Sequence, residues 1–253
     1  MFYVTSYKLA VALCVLSMLC WGSWGNTQKL VGGRWRYELF YWDYVVGLLL
    51  LALVMGLSFG SWGDATGWSF FSNMRESFGI VWIWPFLAGV LFNAANLLFS
   101  AAIAVAGMAV AFPIGSGLAG CGGKMTAYTA VFVFSAAVFL SNFIWDAIAM
   151  RHPVAGEPIP ASAYFKGGFP VHLAGIAGGA IWGLGTLVSF VSSGAASPAI
   201  AYALGQGATL VSACWGIFVW KEFADAPRQA IGLNVLMFVL FLAGLAVLVV
   251  AGA

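Results

Sequence analysis

From Gly79 to Gly123 the chain runs for 45 residues without an Asp, Glu, Lys or Arg. As one helix this stretch would reach about 67 Å at 1.5 Å per residue, roughly twice the hydrocarbon thickness of a bilayer. It therefore predicts two membrane crossings, with the turn near Ala106-Gly107. The rest of the chain is of the same kind: 63% of its residues are hydrophobic and 7% are charged, whereas soluble domains carry about a quarter charged residues. Lipid offers no water to backbone N–H and C=O groups, so only helices or closed barrels span it. Continuous apolar runs rather than alternating ones select helices. The expected fold is all-α, a single polytopic transmembrane domain over 1–253 with about eight transmembrane helices.

Hydropathy and punctuation place the helices near 9–24, 44–60, 80–104, 108–120, 126–149, 171–191, 198–220 and 230–250. The first run ends in tryptophans with no small-residue cleavage pattern, so it reads as a spanning helix rather than a signal peptide. Trp35, Tyr37, Tyr41, Trp42 and Tyr44 fit an interfacial aromatic belt before the second helix. Lys29, Arg34, Arg36, Arg151, Lys166, Lys221 and Arg228 fall on one side of this layout, against Lys8, Arg75 and Lys124 on the other. Positive residues concentrate on the cytoplasmic side, which predicts both termini outside a plasma (inner) membrane. The net charge of +2 is spread over the connections and supports no nucleic-acid surface. Cys14, Cys20, Cys121 and Cys214 show neither CxxC spacing nor flanking histidines, so no metal or cofactor is expected.

The segment Trp21-Gly22-Ser23-Trp24-Gly25-Asn26-Thr27-Gln28-Lys29 brings two indoles, close-approach glycines and amides to the end of the first helix. It reads as the lip of a solute pathway, with Trp21, Trp24, Asn26 and Gln28 as candidate contacts. Asn93, Asn96 and Ser100 share one face of helix three in mid-span. Such groups must meet protein or a water-filled cavity, and interhelical packing fits this face as well as solute contact does. Gly175, Gly179 and Gly183 form a small-residue packing stripe beside Trp182. Tyr202 and Gln206 share a face of helix seven, and a glutamine between Gly205 and Gly207 in mid-membrane favours a cavity over packing. Asp146 is the single acid inside an apolar run and a candidate proton carrier. Its place near the expected cytoplasmic end favours a snorkelling residue or a partner of Arg151. Lys221-Glu222 read as an anchor at the water boundary.

Catalytic readings fail on geometry. A P-loop ending at Gly123-Lys124 would need glycine where Leu118 stands and Ser or Thr where Met125 stands. Ile114-Gly115-Ser116-Gly117 has the wrong glycine spacing for an intramembrane serine protease, and His172 begins a different helix without a matching motif.

Trp21-Gly22-Ser23, Asn26-Thr27-Gln28-Lys29, Glu38-Leu39-Phe40-Tyr41-Trp42-Asp43-Tyr44, Asn93-Ala94-Ala95-Asn96 and Ala106-Gly107-Met108-Ala109-Val110-Ala111-Phe112-Pro113 follow one another in order. With Tyr128-Thr129-Ala130-Val131-Phe132, Ser141-Asn142-Phe143, Gly205-Gln206-Gly207-Ala208-Thr209 and Trp220-Lys221-Glu222-Phe223 they make a set of motifs over nearly the whole chain. This set resembles the ureide-permease and sugar-porter branch of the drug/metabolite transporter superfamily. The resemblance implies a secondary active carrier built of ten helices in two inverted halves, with a substrate cavity near the midplane. The chain departs from that plan in its count of about eight helices, a reduced version in which helix one lacks its second-half counterpart. The function expected is a permease for a small neutral polar solute such as a ureide, nucleobase, nucleoside or sugar, set in the lipid bilayer. Coupling to a proton or sodium ion and assembly as a homodimer stay open. The alternative is a truncated or non-transporting membrane subunit of the same family that needs a partner chain.

Overall fold

The computed structural model describes residues 1–62, 69–106, 125–222, 224, 232, 235–244 and 247, without the side chains of 104–106, 198, 199 and 202. The expected short helix over 108–120, along with Cys121 and Lys124, lies outside the described residues. Helices α1 (Tyr7–Ser23), α2 (Gly25–Val31), α3 (Tyr37–Leu57), α4 (Phe70–Ser77), α5 (Ile83–Ala106), α6 (Ala127–Arg151), α7 (Phe169–Ala196), α8 (Pro198–Gln206) and α9 (Ala208–Cys214) follow in chain order. Among the described residues, five stretches are long and apolar enough to cross a membrane: Tyr7–Arg34, Tyr37–Leu57, Ile80–Ile103, Ala127–Arg151 and Phe169–Ala196. Shorter apolar helices cover Ala203–Val219 and Val235–Gly244. The chain is an integral, polytopic, all-helical membrane protein, as its hydropathy predicts.

Helix starts are set by side-chain caps. Ser6 Oγ accepts from the Leu9 N–H, and Thr126 Oγ1 accepts from the Thr129 N–H. Ser69 and Ser72 close a reciprocal capping box on α4. Each cap satisfies a backbone donor that the first helical turn leaves open. α2 ends at Gly32, whose φ of +42° is open to glycine without the strain a Cβ brings.

α7 is the central post. Its glycine stripe faces α3: Gly175 lies against Asp43, Gly183 lies against Leu48 and Leu51, and a Cβ on Gly179 would fall on the Tyr44 carbonyl. The opposite edge faces the first helix, with Gly178 against Thr27 and Gly185 against Cys20 and Trp21. In a bilayer the lipid tails are as apolar as leucine, so helices associate through close backbone approach, and glycine permits it. These contacts run α7 parallel to α3 and antiparallel to α1. α5 and α6 form a second parallel pair through Gly89, which lies against Phe134 and Ala137.

Two boundaries differ from the sequence reading. The second helix begins at Tyr37, seven residues before the expected start at Tyr44, and it carries Glu38 and Asp43 inward at 0% and 1% exposure. Glu38 pairs with Arg36 two residues before it, and Asp43 with Tyr164 and His172 far along the chain, matches that hydropathy does not register. The expected helix over 198–220 is instead broken: α8 ends at Gln206, α9 starts at Ala208, and a π-helical turn follows over Trp215–Val219. π turns leave a bulge with displaced side chains, and here they carry two tryptophans toward the first helix.

Candidate functional site

A polar seam runs between α2, α3, α5 and α6. The α5 face foreseen from Asn93, Asn96 and Ser100 is wired to three different helices. Asn93 Nδ2 donates to the Val138 carbonyl and to Ser141 Oγ, both at 3.0 Å, and to Asn142 Oδ1 at 3.4 Å. Asn96 Nδ2 donates to Tyr41 Oη at 3.1 Å. Ser100 Oγ donates to Gln28 Oε1 at 2.9 Å, while Gln28 Nε2 returns a bond to the Ser100 carbonyl at 2.8 Å. These groups are buried, Asn93, Ser100 and Asn142 completely. A polar atom without a partner in hydrocarbon costs several kcal/mol, about 4–8 on water-to-cyclohexane scales, so the seam holds the helices in one register.

Two atoms along this seam are nevertheless unpartnered among the described residues, Asn93 Oδ1 and Asn142 Nδ2, while the Tyr44 hydroxyl and the Asp146 carboxylate face the Asn96 amide and the Trp42 indole without a well-formed hydrogen bond. The expectation that Asp146 snorkels to water or pairs with Arg151 is overturned. Asp146 is 0% exposed, whereas Arg151 lies at the exposed end of α6. Helix phase explains the difference, because Asp146 sits one turn beyond Asn142 on the face turned to the bundle.

Two aromatic groups flank the seam. Trp24, buried to 1%, packs against Tyr44 at 4.9 Å and Phe99 at 5.9 Å, and Tyr41 stacks on Tyr44 at 5.2 Å. Trp21 and Trp182 stack at 6.4 Å; Trp182 also meets Phe92 and Phe134, and Trp21 Nε1 donates to Thr186 Oγ1. Gly205 lies against the Trp21 ring and Gly207 against the Met18 sulfur. The glycines beside Gln206 thus serve close packing of the first helix on α8 and α9. Gln206 is half-buried at the end of α8, and the Tyr202 side chain is outside the described residues.

At the α2 end, three rungs tie the first helix to the segment after α9. Trp215 Nε1 donates to Ser23 Oγ at 2.9 Å, Trp220 Nε1 donates to Asn26 Oδ1 at 2.6 Å, and Lys29 pairs with Glu222. Lys29 Nζ also stands 5.3 Å from the centre of the Trp220 ring. Glu222, expected as an anchor at the water boundary, is therefore a partner of the first helix. Nearby, Asp43 accepts from the Tyr164 hydroxyl at 2.5 Å and meets His172 Nδ1 at 2.9 Å. Burial, and then the Asp43 bond and charge, hold the Tyr164 hydroxyl well above the usual phenol pKa, so it stays a donor. Arg36 binds Glu38 at 2.5 Å and the Glu157 carbonyl at 2.5 Å, tying the 155–157 loop to α3.

The structure brings Gln28, Asn93 and Asn96 into one seam, with Trp24 beside it. Trp21 and Trp182 form a neighbouring aromatic group, and Asn26 belongs to the rungs. Sequence reasoning missed Tyr41, Tyr44, Ser141, Asn142, Asp43 and Glu38. The Ser141-Asn142 pair lies one and two turns before and after other inward residues of α6, and its mid-helix polarity was the signal available. Among the described residues no three His, Cys, Asp or Glu side chains converge to hold a metal.

A helical membrane bundle whose interior holds amides, hydroxyls and a carboxylate, sealed from lipid and solvent, is built around polar groups that lipid cannot solvate. Residues 116–251, a little over half the chain, match the family model described as ureide permease, and the chain belongs to that family. The family is one of carriers, not enzymes. Among curated proteins, ureide permease 2 of Arabidopsis thaliana is 31% identical over 129 residues, which are 49% of this chain and 31% of the relative. Ureide permease 4 of the same plant is 32% identical over 127 residues, again 49% and 31% of the two chains. The matched stretch thus spans about a third of these relatives' length. No solved structure matches.

Proposed function

We propose that the protein is a permease for small neutral polar solutes of the ureide type. The observation that carries this reading is the buried amide and hydroxyl seam between α2, α3, α5 and α6, set in a chain of the ureide permease family. Amide side chains present both donors and acceptors and no charge, which suits a solute rich in N–H and C=O groups and offers nothing to a phosphate. Nucleobases, nucleosides and sugars, the solutes of a sugar-porter-like carrier, are the competing cargo. Asp146 is the proton carrier in this reading: it is a fully buried carboxylate in mid-bundle, within reach of the Trp42 side chain and paired with no cation among the described residues. The end bearing Lys29, Arg34, Arg36, Arg151, Lys166 and Lys221 faces the cytoplasm, because it gathers the positive residues. Both termini then lie outside the plasma membrane.

The test is uptake of labelled allantoin, uracil, ribose and glucose by cells expressing the chain, against an empty vector and with or without a proton uncoupler. Allantoin uptake that collapses with the uncoupler is expected. Preference for ribose or glucose would move the cargo to sugars. No uptake of any of the four, with the protein at the cell surface, would favour a subunit that needs a partner chain.

A further inference from the structure

The α5–α6 contact contains two asparagines that satisfy each other only halfway. Asn93 spends its Nδ2 on the Val138 carbonyl, Ser141 Oγ and Asn142 Oδ1. Asn93 Oδ1, an acceptor, and Asn142 Nδ2, a donor, are left without partners, although both side chains are 0% exposed. Two adjoining amides in a fully buried place normally exchange both of their bonds, since each unmet polar atom costs about 1–3 kcal/mol. Leaving one acceptor and one donor open at neighbouring positions is the complement of a cis-amide edge, in which an N–H and a C=O lie side by side.

We propose that Asn93 Oδ1 and Asn142 Nδ2 together read the H–N–C=O edge of the solute, making Asn142 a specificity-determining residue of the carrier. This rests on the ureide-permease reading above and names the chemistry of its site. The surroundings fit a flat, ureide-containing ring. Tyr41 donates to the Asn93 carbonyl at 3.4 Å and stacks on Tyr44, so an aromatic group stands beside the pair. Planar rings stack favourably on such faces. A solute whose amide nitrogens are methylated presents no N–H to Asn93 Oδ1. It strands that buried acceptor, which is how hydrogen-bonding sites reject analogues lacking the group. A sugar offers hydroxyls that rotate, and so gains least from a fixed acceptor–donor pair.

The experiment uses the full chain in cells and measures labelled allantoin uptake, competed by hydantoin or by 1,3-dimethylhydantoin, with surface protein quantified for every variant. Hydantoin is expected to compete about tenfold better than the dimethyl analogue, the worth of one buried hydrogen bond. Asn142→Asp, which replaces the donor by an acceptor at the same size, and Asn142→Ala remove the group that reads the solute carbonyl, which both compounds carry, and are expected to weaken competition by each about tenfold while the ratio set by Asn93 Oδ1 persists. Asn142 variants that reach the surface and are inhibited by hydantoin as strongly as the wild type, or a wild type that does not separate the two compounds, would overturn the inference while leaving the permease reading intact. If the wild type takes up no allantoin, the permease reading for ureides fails separately. The pair is then judged on purified protein by thermal stabilisation: a shift with hydantoin that Asn142→Ala abolishes supports the edge-reading site, and no shift in the wild type overturns it.

Discussion

Trp220 donates its indole N–H to Asn26 Oδ1 at 2.6 Å, joining positions 194 residues apart in the chain. With Trp215 on Ser23 and Glu222 on Lys29 it forms a ladder of three rungs, spaced three residues apart along the first helix. The ladder closes one end of the interface between the first helix and the segment after α9. A carrier that alternates its access must break such a closure in each cycle. Lys29→Cys with Glu222→Cys, joined by a cleavable bis-thiol reagent that replaces the reach of the Lys and Glu side chains, is expected to stop solute uptake, and cleavage of the reagent is expected to restore it. Cross-linked protein that still transports at the wild-type rate would show that the ladder does not move.

The α7–α3 contact is set by glycine. Gly179→Val would drive its side chain into the Tyr44 carbonyl, and overpacking of this kind costs about 1–3 kcal/mol. Gly194, around which a Cβ meets nothing within 4 Å, is the matched control. Thermal unfolding in detergent should fall for Gly179→Val and hold for Gly194→Ala. Equal effects at both positions would remove close packing as the reason for the stripe.

Gln28 and Ser100 exchange two hydrogen bonds between α2 and α5. Because each keeps the other satisfied, Gln28→Ala and Ser100→Ala should each destabilise, by about 0.6–1.7 kcal/mol, the range of interhelical polar pairs in membranes. The double variant should cost less than the sum, since the second change removes a partner already lost. Strict additivity in a double-mutant cycle would mean that the two residues act separately.

Asp146→Asn keeps size and shape but cannot exchange a proton. Uptake driven by an inward pH gradient should fall at least about tenfold, in keeping with the loss of a coupling group, while exchange of labelled for unlabelled solute at equal pH should continue. If gradient-driven uptake survives in Asp146→Asn, the coupling proton is carried elsewhere.

The sequence reads well where the physics is local. Hydropathy foretold an all-helical membrane protein, since burial in lipid demands a run of apolar residues at each crossing. The Gly175, Gly179 and Gly183 spacing foretold the packing face of α7, and the polarity of Asn93, Asn96 and Ser100 foretold an inward face of α5. It read poorly where a buried charge is cancelled by a partner. Glu38 and Asp43 look like residues of a wet connection until Arg36, Tyr164 and His172 are seen around them. Trp24 reads as a stacking surface for solute, yet Tyr44 and Phe99 already occupy its faces.

By itself the chain determined that it crosses the membrane several times as helices, and that it carries amides and the Asp146 carboxylate into those crossings. Both follow from transfer free energies that each residue carries with it. The tertiary structure alone decided which of these polar groups satisfy one another. Gln28 and Ser100 close on themselves, whereas Asn93 and Asn142 keep atoms unpaired. A hydrogen bond depends on the distance and angle between two helices, which no single segment encodes.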